Sequence, residues 1–227
     1  MVNPQIKNLE RVAELLAPIP TRFIFTGGAT IILYVYEILH DELRPTLDVD
    51  CVMEVFSRVE YYALAQKLRE IGLEEYVTKD APLCRWKYDN LVIDIMPCDS
   101  NILGFTNRWY REGLSNCINY TLPNGRIIEI FAPVYLLATK VEAFLGRGKD
   151  LRLSKDIEDV IILLDGCEGL EASFYEASAE VQQFLSTWFL DNLRQLEEAV
   201  FCFVPASSVG REDIVIDLLD KFAHIRS

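Results

Sequence analysis

The sequence predicts an α+β fold, with strands and helices mixed through residue 131 and helices alone from 132 to 227. Three observations carry this. Short apolar runs bounded by glycine, proline or asparagine recur up to Ile130, as half-buried strands do. After Phe131 that texture stops, and apolar residues fall at helical spacing instead. No internal repeat, low-complexity segment or long linker interrupts either half. The expected division is therefore an α/β domain over 1–131 and a helical domain over 132–227.

Residues 3–16 place Ile6, Leu9, Val12, Leu15 and Leu16 on one helical face, and Pro18 and Pro20 end that helix. Residues 22–26 form a short strand, Gly27-Gly28 a turn, and Ala29 to His40 is apolar enough for a buried helix. Residues 47–55 form a strand, followed by a helix to about Ile71 with Ser57 as its cap. Residues 83–88 and 91–96 are strands joined at Asp89-Asn90. Residues 119–122 and 126–130 flank Pro123-Asn124-Gly125, a second hairpin. Beyond it, Pro133 opens a helix to Arg147, Ser154 caps another to Leu164, residues 170–203 hold one or two helices, and 209–225 one more.

Bulk properties narrow the function classes. At 227 residues, 51% apolar and 25% charged, this is the composition of a globular protein. No apolar run reaches eighteen residues, so no membrane partner is expected. Residues 1–14 carry Lys7, Glu10, Arg11 and Glu14 and lack a secretion signal, so a cytoplasmic location is expected. Six cysteines, none in a CxxC pair, read as reduced and structural. Two histidines are too few for histidine-based triads or metal cages. The net charge of −13 disfavours a nonspecific polyphosphate partner and favours a cationic one.

The candidate site lies in Arg44-Pro45-Thr46-Leu47-Asp48-Val49-Asp50. Aspartate is disfavoured in strands and costly when buried unless paired or bound to metal. Alternation puts Asp48 and Asp50 on one strand face, where two carboxylates repel without a cation. Magnesium relieves that repulsion and keeps further positions for water and phosphate. Asp94, between Ile93 and Ile95, would complete a trio if its strand neighbours the first. Gly27-Gly28, between strand and helix, lets a phosphate approach the backbone, with Thr26 and Thr30 as hydroxyl donors. The competing reading makes Asp48 and Asp50 turn residues after Pro45. Arg85 and Lys87 share a strand face. Arg108, Trp109, Tyr110 and Arg111 form an aromatic and basic cluster that either stacks on a base or packs inward.

The order Gly-Gly, Arg-x-Thr-x-Asp-x-Asp, then a strand Asp resembles the polymerase-β-like nucleotidyltransferase superfamily. The segment Leu136 to Ala143, with Arg147 and then Lys155-Asp156-Ile157-Glu158-Asp159, resembles its AbiEii-like branch, which includes toxins of toxin–antitoxin pairs. The resemblance spans about residues 22–165. It implies a small mixed β-sheet nucleotidyltransferase core flanked by helices. It implies Mg2+, two ions with Mn2+ as a substitute, and a nucleoside triphosphate as co-substrate. Asp48, Asp50 and Asp94 would hold metal and act in catalysis, with Asp94 helping to activate the acceptor hydroxyl. Gly27, Gly28 and Thr30 would border the nucleotide, Lys140 would meet its phosphate, and Lys155, Asp156 and Asp159 would line a cleft. Many members carry Gly-Ser where this chain has Gly27-Gly28, which leaves the phosphate to Thr26, Thr30 or the backbone.

The implied function is transfer of a nucleoside monophosphate to an acceptor hydroxyl on tRNA, a protein or a small cationic molecule, with an antitoxin protein as a partner in the toxin case. Two alternatives stand beside it. One is an antibiotic-modifying enzyme similar to aminoglycoside and lincosamide nucleotidyltransferases. The other is a non-catalytic module that binds nucleotide or a partner protein. From the residues alone, Lys140 and Arg147 also suit a helix C-terminus, and Asp156 and Glu158 a helix N-terminus.

Overall fold

The computed structural model describes residues 3–55, 57–78, 82–147, 150–204 and 210–225. The chain forms two compact units, one of Met1–Ile32 with Arg44–Phe131, the other of Leu33–Leu43 with Ala132–Ser227.

The first unit is built on a mixed sheet. Its strands are β1 (Phe23–Thr26), β2 (Asp48–Met53), β3 (Glu74–Glu75), β4 (Arg85–Tyr88), β5 (Leu91–Pro97), β6 (Cys117–Thr121) and β7 (Ile127–Phe131), in the order β3-β4-β5-β2-β1-β7-β6. β1 runs antiparallel to β2 and parallel to β7, while β2 runs parallel to β5. Helix α1 (Pro4–Leu16) starts with Pro4 in its first turn, and the Asn3 side chain accepts from the Gln5 N–H. It buries Ile6, Leu9, Val12 and Leu16 and packs against β2. Helix α2 (Arg58–Glu70) is capped by Ser57, which accepts from the Glu60 N–H, and buries Tyr61, Leu64 and Leu68. Two short helices, α3 (Ser100–Leu103) and α4 (Tyr110–Ser115), lie between β5 and β6.

Strand alternation divides the sheet's residues into two sets. Phe25, Val49, Cys51, Met53, Trp86, Ile93, Ile95 and Ile130 are the buried apolar set. Each fully buried side chain of this size contributes about 1.5–3 kcal/mol. The other face carries Thr26, Asp48, Asp50, Arg85 and Asp94. The core strands therefore fix which side chains remain for chemistry.

In the second unit, α5 (Pro133–Arg147), α6 (Lys155–Gly166), α7 (Leu170–Glu176), α8 (Ala179–Phe203) and α9 (Arg211–Ala223) pack around Phe174, Phe189 and Phe222. The Phe174 and Phe222 rings stack with centroids 4.0 Å apart. Residues 33–43 belong here too: the Tyr36 N–H donates to the Gly166 carbonyl at 3.1 Å. A Cβ at Gly166 would sit 2.5 Å from Leu39 Cδ1, so only glycine admits this approach. Among the described residues, no helix is long and apolar enough to cross a membrane.

Several elements differ from the sequence reading. The buried helix expected over 29–40 is two 3-10 segments, Gly28–Leu33 and Glu37–Leu39. The β-branched run Thr30-Ile31-Ile32 disfavours an α-helix, and Tyr36 takes an extended conformation to reach Gly166. β3, α3 and α4 were not expected. The region 170–203 resolves into α7 and α8. The last helix starts at Arg211; Val209, where it was expected to begin, lies outside the described residues.

Candidate active site

The register of four adjacent strands aligns the polar residues in one row. Thr26 of β1 lies opposite Asp50 of β2, Asp50 opposite Asp94 of β5, and Asp94 opposite Arg85 of β4. Directly opposed residues project to the same face, and Asp48 joins them two residues from Asp50. The three carboxylates thus share one side of the sheet, as the alternation argument requires.

Gly27 closes the row beside β1. It has φ +77°, the left-handed region that glycine enters without a Cβ penalty. A Cβ there would lie 1.8 Å from Asp50 Oδ2, so the Asp50 carboxylate rests against the bare Gly27 α-carbon. Thr30 is fully buried, and its hydroxyl donates to the Gly27 carbonyl at 3.0 Å, which fixes the turn. Gly28 opens the 3-10 segment. Thr26 is 2% exposed, and its Oγ1 has no hydrogen-bond partner among the described residues. A buried hydroxyl without a partner carries a desolvation cost of about 1–3 kcal/mol.

A cation from the chain itself reaches the carboxylates. Arg85 Nε donates to Asp94 Oδ1 at 2.8 Å and Nη2 to Asp94 Oδ2 at 2.7 Å, a two-pronged pair. Nη2 also donates to Asp48 Oδ2 at 3.3 Å. The Asp94 side chain is 8% exposed, Arg85 27% and Asp48 39%, so the pair is sealed at Asp94 and open at Asp48. The hydrogen bonds that Arg85 donates to Asp94 push the arginine pKa further up. The Cys84 thiol is pushed up to about 12, chiefly by burial and then by Asp94 and Asp50, and Cys51 rises by burial in the same field.

The donor chemistry of Asp48, Asp50, Asp94 and the orphaned Thr26 hydroxyl suits a hard divalent cation. Asp94 and Asp48 are nevertheless drawn toward a guanidinium. Among the described residues, no group of three or more His, Cys, Asp or Glu side chains is arranged to hold a metal ion. The donors fit by type and by shared face; engaging Asp94 requires Arg85 to release it.

The remaining sequence candidates lie in the helical unit. Lys140 of α5 donates to Asp159 Oδ2 of α6 at 2.5 Å, and both are buried. Arg147 at the end of α5 makes a two-pronged pair with the buried Asp156 at 2.9 and 2.8 Å. Lys155, in the first turn of α6, is exposed. The motif residues thus tie α5 to α6. The aromatic cluster packs inward: Trp109 is buried with Arg108 over its ring at 4.6 Å, Tyr110 meets Phe131 and Met96, and Arg111 pairs with Asp99.

Arg85 is the functional residue whose role sequence reasoning missed. The signal was present in the hairpin. With Tyr88 opposite Leu91, counting three residues outward on each side places Arg85 opposite Asp94.

No family model matches the chain, and no curated protein matches it. Among solved structures it is similar to an antigenic nucleotidyltransferase-like protein from Paracoccidioides brasiliensis, with a TM-score of 0.54 and 18% identity. The alignment covers 91% of this chain and 96% of that one. At that identity the likeness is one of fold. The chain has a nucleotidyltransferase-like fold, a mixed α+β architecture ending in helices. The likeness does not single out the AbiEii-like branch.

Proposed function

We propose that this protein is a metal-dependent nucleotidyltransferase that moves a nucleoside monophosphate from a nucleoside triphosphate to an acceptor hydroxyl. The observation that carries the reading is the four-strand row Thr26, Asp50, Asp94 and Arg85, set beside the bare α-carbon of Gly27. In this reading Asp48 and Asp50 hold a magnesium ion, or manganese in its place, with Asp94 joining them where two ions bind. Bound there, the metal supplies charge neutralisation at the phosphates. Asp94 takes the proton of the acceptor hydroxyl as its oxygen attacks the α-phosphorus and pyrophosphate leaves. Gly27 makes room for the Asp50 carboxylate against its bare α-carbon, and the orphaned Thr26 hydroxyl is available as a donor beside Asp50. Exposed Lys155 is the member of the Lys-Asp-x-x-Asp motif open to an anionic ligand. The net charge of −13 favours a small cationic acceptor or a basic protein over RNA. A toxin role with an antitoxin partner rests on the sequence resemblance alone.

A second reading has a specific observation behind it. Arg85 already neutralises Asp94 and reaches Asp48, which suits a non-catalytic module of the same fold. Thermal unfolding with and without magnesium and triphosphate tests the metal site that the enzyme reading requires, and label transfer from a triphosphate then separates enzyme from module. The enzyme reading expects a magnesium-dependent rise in melting temperature for the wild type that Asp50→Asn removes. An identical response in both proteins contradicts it.

A further inference from the structure

Arg85 does more than fill a gap in the row. Its guanidinium binds both oxygens of Asp94 and one of Asp48, two of the three side chains that would take up a metal ion. A carboxylate oxygen held by an N–H at 2.7–2.8 Å has given up lone-pair capacity that a cation needs. The arginine is the more open partner of the pair, with 27% of its side chain exposed. Asp94 is sealed and has little freedom to move. Lys87, two residues on in β4, lies on the same face and is exposed, opposite Val92 rather than a carboxylate.

We propose that Arg85 is a positioning residue, an internal counter-ion that holds Asp94 and Asp48 and competes with a divalent cation for their oxygens. The inference rests on the nucleotidyltransferase reading of the site. Metal binding and arginine release are then one equilibrium. The apparent affinity is the intrinsic affinity reduced by the fraction of molecules in which Arg85 is disengaged. A pair made of two charge-assisted bonds keeps that fraction at about one-tenth or less. Two kinds of damage point in opposite directions here. Losing a purely structural arginine weakens the site, whereas losing a competitor tightens it.

The test is Mn2+ binding to the whole chain, followed by electron paramagnetic resonance of the free ion, with no nucleotide present. Arg85→Gln is expected to bind Mn2+ about tenfold more tightly than wild type. Lys87→Gln removes the same charge from the same face and is expected to stay within about twofold. Arg85→Lys keeps a positive charge but cannot form the two-pronged pair, and is expected to fall between wild type and Arg85→Gln. It decides the matter if Arg85→Gln does not fold. A second readout is melting temperature, where saturating Mn2+ raises Arg85→Gln more than wild type. Unchanged or weaker binding in Arg85→Gln, or in Arg85→Lys where that variant decides, overturns the counter-ion role while leaving the metal site standing, provided Asp50→Asn abolishes binding. Equal tightening by Lys87→Gln also overturns it, in favour of diffuse electrostatics. Mn2+ binding absent from wild type and Arg85→Gln alike overturns both the metal site and this inference.

Discussion

Replacing Gly27 by alanine tests the contact on which the site's shape depends. The added Cβ would fall 1.8 Å from Asp50 Oδ2, 2.5 Å from its Cγ and 2.8 Å from its Cβ. The carboxylate would have to retreat by roughly an ångström or more to reach an ordinary separation. Holding an L-residue in the left-handed region adds about 1–2 kcal/mol, and overpacking of this kind about 1–3 kcal/mol. Gly27→Ala is thus expected to lose about 2–5 kcal/mol, a fall in melting temperature of about 4–20 °C for a chain of this length. A double-mutant cycle separates the two contributions. Asp50→Ala removes Oδ2 and Cγ, so Gly27→Ala made in that background should recover at least about 1 kcal/mol of the steric part. Urea unfolding followed by tryptophan fluorescence reads all four proteins. Full stability in Gly27→Ala, or strict additivity in the cycle, would show that the carboxylate does not rest against Gly27.

Other perturbations test the rest of the structure. Lys140→Ala removes the ammonium group bonded to buried Asp159 and should cost about 3–5 kcal/mol, whereas Lys140→Met with Asp159→Leu should restore most of it; urea midpoints measure both. Gly166→Ala pushes a Cβ against Leu39 and Val35 and should cost about 1–3 kcal/mol by the same assay. In alkali, burial raises the thiols of Cys84 to about 12 and of Cys117 and Cys167 to about 11, from the ordinary 9.0. Their contribution is intact below pH 9 and is lost as pH rises through the folded-state values, because the unfolded chain releases protons that the folded chain retains. Stability should therefore fall between about pH 9 and 12, and Cys84→Ala should flatten the slope.

Much of this fold could be read from the sequence, and the failures have physical causes. α1 was legible because its apolar residues repeat at helical spacing, and α2 because Ser57 caps it. β2 and β5 were legible because aspartates alternate with buried aliphatic residues, which also put Asp48, Asp50 and Asp94 on one face. The stretch 29–40 failed because continuous apolarity reports burial without a period, and because Tyr36 bonds to a residue 130 positions away in sequence. The same long-range packing places residues 33–43 with the helical unit, which no local signal announces. The site was legible as carboxylates and glycine. Its internal cation is set by the hairpin register, which pairs Arg85 with Asp94 across the strands and is not visible in the alternation of β4 alone.

The proposed activity is turnover at the row of Asp48, Asp50 and Asp94. The direct measurement is transfer of label from each of four α-labelled nucleoside triphosphates, in magnesium, to total protein, total RNA and a panel of small cationic hydroxyl compounds. The expected result is magnesium-dependent transfer of one or more labels, with pyrophosphate released, that is lost in Asp50→Asn. Triphosphate binding with no transfer to any acceptor class, or transfer undiminished in Asp50→Asn, would contradict it.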